Sequence, residues 1–132
     1  MAIQLGTTLR NARINAVEST VGTSPKLQIR TGAQPANCAA ADTGSLLAEL
    51  TLPSDWANAA ASGASTLAGT WTGTATGTGT AAHFRLKDSA GTTTHMQGSV
   101  GQGTGDLSLD NTSIVSGQTV NITTWTTTDG NA

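Results

Sequence analysis

The sequence predicts a mainly β fold, an antiparallel β-sandwich or jelly-roll preceded by one N-terminal α-helix, and three observations carry that expectation. Roughly a fifth of the 132 residues are threonine and 16 are glycine; threonine is β-branched and favours pleated backbone, while glycine supplies turns and bulges. From Pro25 onward, apolar and polar residues alternate in short runs with the period of two expected of strands that bury one face. Helical periodicity is confined to one segment near the N-terminus. The length fits one domain over 1–132, with the helix at about 7–21 and the sandwich at about 25–128.

Taken in order, residues 7–21 form the helix. Thr7 or Thr8 serves as cap, Leu9, Ala12, Ala16, Val17 and Val21 form the buried stripe, and Gly22 ends it. Arg10, Asn11, Arg13, Glu18 and Ser19 are then a solvated face. Leu27 and Ile29, between Lys26, Gln28 and Arg30, read as a strand. Gly32 to Gly44 is a long loop in which Ala36 to Ala41 can make a helical turn. Leu46, Ala48, Leu50 and Leu52 alternate along a strand stopped by Pro53, and 54–65 is an irregular excursion around Trp56. The Gly/Thr/Ala tract at 73–81 reads as strand and bulge, since alternation resumes on both sides of it.

The clearest segment is a hairpin. Ala82, Phe84 and Leu86 form its dry side, with His83, Arg85 and Lys87 on the wet side. A three-residue loop, Ser89-Ala90-Gly91, with Gly91 left-handed, sets Phe84 opposite Met96 and Arg85 opposite His95. Gly98 to Gly105 is a glycine-rich turn, Leu107 and Leu109 begin a short strand, and Asp110-Asn111-Thr112 turns the chain again. Val120, Ile122 and Thr124 lie on a final strand whose parity Trp125 breaks, either through a bulge or by pointing outward to a partner.

Composition narrows the function. Net charge is −2 with pI near 5.4, which provides no broad cationic field for a phosphate backbone, so no nucleic acid is expected. Aromatic residues are few, which predicts a thin core that gains stability from partner subunits. Cys38 is the only cysteine; it allows no intrachain disulfide and reads as a small buried hydrophobe. The N-terminus lacks the pattern of a secretory signal and no run approaches a membrane span, so the chain is expected to be made in the cytoplasm and to stay soluble, with no membrane partner.

Candidate chemistry is sparse. His83 and His95 fall on diagonal outward positions, yet zinc normally takes three or four protein ligands and Cys38 is distant in sequence. Gly77-Thr78-Gly79-Thr80-Ala81-Ala82 spells a dinucleotide fingerprint, but a strand follows where the motif needs a helix. Asp106, Asp110, Asn111 and Asp129 lack calcium-loop spacing and suit turns and caps, and nothing brings Asp55 near Glu49. No catalytic residue, metal ligand or cofactor is assigned. The tryptophans are either sugar platforms, with Trp125 the best placed, or core and subunit contacts.

Several segments together resemble a small virion protein of tailed bacteriophages: Leu9-Arg10-Asn11-Ala12, Leu27-Gln28-Ile29-Arg30-Thr31-Gly32 with Pro35-Ala36, Leu46-Leu47-Ala48-Glu49-Leu50 before Trp56, Phe84-Arg85-Leu86, Gln97-Gly98-Ser99-Val100-Gly101, Asp106 to Thr112, and the Asp129-Gly130-Asn131-Ala132 ending. The resemblance implies a structural, non-enzymatic role, here a head decoration or cement protein on the capsid surface. The expected partners are the major capsid protein and copies of itself as dimer or trimer. Leu5, Trp56, Trp125 and Asn131 are the candidate interface residues. The alternative is a tail, neck or baseplate component that binds host-surface glycans.

Overall fold

The computed structural model describes residues 3–129. Helix α1 (Thr7–Val21) precedes ten strands: β1 (Lys26–Arg30), β2 (Leu46–Thr51), β3 (Ala64–Thr66), β4 (Thr72–Thr74), β5 (Gly79–Thr80), β6 (His83–Lys87), β7 (Thr94–Gly101), β8 (Leu107–Leu109), β9 (Ser113–Ile114) and β10 (Thr119–Thr128). The main sheet runs β2-β1-β6-β7-β8-β10-β3, β4 also pairs with β10, and β5 with β9 forms a separate ribbon. The architecture is mainly β and sandwich-like, as the sequence predicts. It is not purely antiparallel, because β8 pairs parallel to β7. The intervening chain doubles back where the Asp106 carboxylate accepts the Ser99 backbone N–H at 2.9 Å and hydroxyl at 3.0 Å.

The sheet curls until its ends meet. Register slips between Ile29 and Arg30 where β1 pairs β2, so Leu47 is an extra residue in the ladder. Its carbonyl accepts N–H bonds from Thr76 at 2.8 Å and Gly77 at 3.0 Å, which ties the segment after β4 to β2. A side chain at Gly77 would run into the Leu46 carbonyl, and one at Gly73 into the Leu50 side chain. The Gly/Thr/Ala tract is thus the place where two backbones touch, and small residues there are a packing requirement.

Inside the curl lie Leu27, Ile29, Leu50, Phe84, Leu86, Leu109 and Ile122 with all three tryptophans. Trp56, Trp71 and Trp125 contact one another with ring centroids 5.4–6.0 Å apart in tilted geometry. The Trp56 indole donates to the Gly22 carbonyl at 3.0 Å and the Trp71 indole to Ala68 at 3.1 Å. Trp125 reaches this cluster because the β8–β10 register slips between Ile122 and Thr124, the bulge that its broken parity allows. The three rings give the core an anchor that their small number in the sequence conceals.

Two local expectations are corrected. The β6–β7 hairpin pairs Phe84 with Gly98, Arg85 with Gln97 and Leu86 with Met96, two residues away from the register expected. Gly91 is left-handed as anticipated (φ 73°), but the Asp88 carboxylate accepts the Thr92 N–H at 2.9 Å and draws Thr92 into the loop. That bond holds the Asp88 carboxyl below its ordinary range. A bulge near His95 adds the second step. Residues 98–101 continue β7, and Gly98 is needed there because a Cβ would lie 2.8 Å from both Phe84 and Asp106.

Helix α1 has the expected bounds, and of its expected buried stripe Val17 and Val21 do pack on the core while the N-terminal part, Leu9, Ala12 and Ala16, faces outward. Gly6, not Thr7 or Thr8, is its N-cap, with no side-chain bond. Leu9 is 52% exposed, and Ala12 and Ala16 are exposed, whereas Ile14 and Val21 are buried. Of the face expected to be solvated, Arg13 and Ser19 are exposed, but Arg10, Asn11 and Glu18 take part in docking, joined by Asn15. Asn11, Asn15 and Glu18 lie along one side at helical spacing. Their oxygens accept the backbone N–H groups of Gly63 (2.8 Å), Ala60 (2.8 Å), and both Trp56 (2.9 Å) and Ala57 (3.1 Å). An irregular segment paired only at isolated bridges leaves amides to satisfy, and these side chains satisfy them. Arg10 adds bonds to the carbonyls of Asp129 (2.9 Å) and Ser62 (3.3 Å).

Two substitutions test this account. Glu18→Ala strands two amides and is expected to cost about 2–3 kcal/mol in urea unfolding, whereas Glu18→Gln, which keeps an acceptor, costs less than half of that. Gly77→Ala forces the β2–β4 seam apart and is expected to cost about 1–3 kcal/mol, while Gly103→Ala, where a Cβ meets nothing, perturbs no packing and carries only backbone strain.

Candidate functional site

The sequence places His83, Arg85 and Lys87 on a wet face, and the structure corrects this: all five residues of β6 are buried. Phe84 and Leu86 face the core. The polar three lie under residues 32–44, a strap with no strand or helix of its own. Across four strands the register aligns a polar row, Glu49 on β2, Gln28 on β1, Arg85 on β6 and Gln97 on β7. Gln28 donates to Glu49 at 2.8 Å and accepts from Arg30 at 2.8 Å.

This row holds the strap by its carbonyls. Arg85 donates to the carbonyls of Cys38 (2.8 Å) and Ala40 (2.9 Å), Gln97 to Pro35 (2.8 Å) and Arg30 to Thr43 (3.0 Å). His83 Nδ1 lies 2.9 Å from the Gly32 carbonyl. A loop without internal ladder bonds has carbonyls to spare, and a row of long donors matches them. Asn37 organises the strap from within, its side-chain oxygen accepting the Ala39 and Ala40 N–H groups at 3.0 and 2.9 Å. The expected helical turn at 36–41 amounts to this single turn.

Asp42 is the strap's one carboxylate and three cations converge on it: Arg85 at 2.7 Å, Lys87 at 2.7 Å and Arg30 at 3.8 Å. These are three of the six Lys and Arg residues in the chain. Burial by itself pushes the Asp42 carboxyl up, but the Lys87 hydrogen bond and the charges of Lys87, Arg30 and Arg85 outweigh it and hold the group below its ordinary value. Beside the cluster opens a cavity of about 600 Å³ lined by residues 38–42, Arg85, Lys87 and 92–94.

Other candidates land elsewhere. Trp56 and Trp125 are 0% and 3% exposed, so neither offers a ring to a partner or a sugar, and both belong to the core. Leu5 is half-buried, and Asn131 lies outside the described residues. Cys38 is also half-buried, in the cavity wall, rather than a core hydrophobe. His83 and His95 do not meet: His83 is under the strap opposite Ser99, and His95 is exposed in a groove beside α1 with Val17, Val21 and Met96. Asp106, Asp110, Asn111 and Asp129 serve separate turns and pairs, with Ser99, Asn121, Ser113 and Arg13. Arg85, Lys87, Asp42 and Gln97 were not picked out from the sequence. The available signal was a 13-residue stretch without regular structure in a chain where charge is scarce.

Because Asp42 titrates lower when folded, its contribution to stability is present above the unfolded value of about 3.8 and is lost as pH falls through the folded value. Asp42→Asn is therefore expected to lower stability by roughly 2 kcal/mol at pH 7 and to flatten the acid limb of a urea-midpoint-against-pH curve. An unchanged acid limb contradicts the role given to Asp42.

No family model matches the chain, and neither the curated proteins nor the solved structures searched contain a significant match.

Proposed function

We propose that the protein is an adhesive structural component, a decoration or cement protein of a tailed-phage head that bridges capsid subunits and associates with its own copies. The observation that carries this reading is the outward apolar side of α1. Asn11, Asn15 and Glu18 are engaged by the chain around Trp56, while Leu9, Ala12 and Ala16 form an outward stripe, and Ile3, which precedes the helix, is 83% exposed. Val115, 56% exposed, adds a further apolar point. Exposed aliphatic residues grouped on a helix mark a surface built for contact.

The rest of the molecule suits such a part. The sheet closes on itself at β2 and β4, and the strap covers β6, so the strands are anchored before any partner arrives. A stable contact buries about 800 Å² per partner, more than one stripe supplies. Sharing across several subunits of a lattice supplies it. The virion assignment itself rests on the sequence resemblance.

Mixing the purified protein with expanded, undecorated heads should give saturable binding in sedimentation. Leu9→Glu should reduce that binding at least tenfold while leaving the unfolding midpoint within about 0.5 kcal/mol of the parent. Binding to isolated tails and not to heads, or full binding by the Leu9→Glu protein, would reject the proposal.

A further inference from the structure

The cavity beside Asp42 has an imbalance that its role as a clamp does not use. Its wall carries Arg85 and Lys87 against one carboxylate, with Arg30 a third cation 3.8 Å from the same Asp42 group. Strap carbonyls satisfy donors but carry no net charge, so within the lining two cations face one carboxylate where Arg85 is 1% exposed, and the next carboxylate, Asp88, is engaged by Thr92 and Thr93. The Arg85 Nε–H is buried with no acceptor, although both terminal nitrogens of the same guanidinium are engaged. Lys87 has given one of its three ammonium hydrogens to Asp42, and Thr92, Thr93 and Thr94 complete the lining; the Thr92 amide and hydroxyl and the Thr93 amide are taken by the Asp88 carboxylate, which leaves the Thr93 and Thr94 hydroxyls. A volume of about 600 Å³ admits a small polyatomic anion with its hydration.

The geometry points to an oxyanion-binding site in this cavity, with Lys87 and Arg85 as its charged groups and the Thr93 and Thr94 hydroxyls as added donors. The ligand class is a phosphate or carboxylate group, either a free ion or an acidic side chain presented by another protein. Charge-assisted bonds of this kind are short and strong when partly withdrawn from water. The site is distinct from the apolar stripe of α1 and does not rest on the capsid reading.

The test is a titration of the full chain with inorganic phosphate, against chloride at the same ionic strength, followed by the Arg85 Nε–H and Thr93 amide resonances. Saturable shifts with phosphate alone are expected, and their absence, or equal shifts with chloride, overturns the site. Lys87→Met should weaken phosphate binding about tenfold, while Lys26→Met, on the same side of the sheet but outside the cavity wall, should leave it unchanged; equal weakening by the two also overturns it. The parent titration decides alone if Lys87→Met does not fold. A tetra-aspartate peptide that binds more tightly than acetate by more than fourfold assigns the anion to a neighbouring protein, and equal affinity per carboxylate assigns a free ion.

Discussion

A guanidinium removed from water must have its charge balanced and its donors met, and Arg85, 1% exposed on the middle of β6, imposes that demand on everything around it. The nearest solution is the strap. It brings the Asp42 carboxylate and a series of backbone carbonyls over a strand face that would otherwise be wet. The same contact works in the other direction, since 13 residues without a ladder have few ways to satisfy their own carbonyls. Each half meets the other's demand. Lys87, Arg30, Gln97 and His83 extend the demand along β6 and onto its neighbours β1 and β7.

The opposite face of the sheet solves a different problem, how to build a core with few aromatics and little charge. Close packing of backbone on backbone at the β2–β4 seam lets a glycine-rich stretch contribute to a solid interior. The tryptophans are gathered into one cluster, so each ring supports the other two. With Asn11, Asn15 and Glu18 answering the amides of the excursion around Trp56, the helix locks that cluster in place. Leu9, Ala12 and Ala16 are then free for the outside, as the proposed adhesive role requires.

The mainly β class, the helix bounds and most strands were legible because each rests on local periodicity. Leu46 to Thr51 alternates well enough to be read directly, although the bulge that buries Leu47 as well is invisible in the pattern. The helix face was misread for a physical reason. Apolar residues normally decide which side is buried, but here the amides of a distant loop outweigh Leu9 and two alanines, and that loop is about 40 residues away. The strap site was hidden likewise. Arg85 and Lys87 alternate with Phe84 and Leu86 as solvent-facing residues do, and only the long-range fold of residues 32–44 covers them.

The account's central claim is that Arg85 fastens the strap to the sheet, and hydrogen exchange of residues 32–44 in Arg85→Met tests it most directly. The account predicts that exchange in the strap accelerates by orders of magnitude while amides of β1, β6 and β7 stay protected. A strap that remains as protected as in the parent would contradict it.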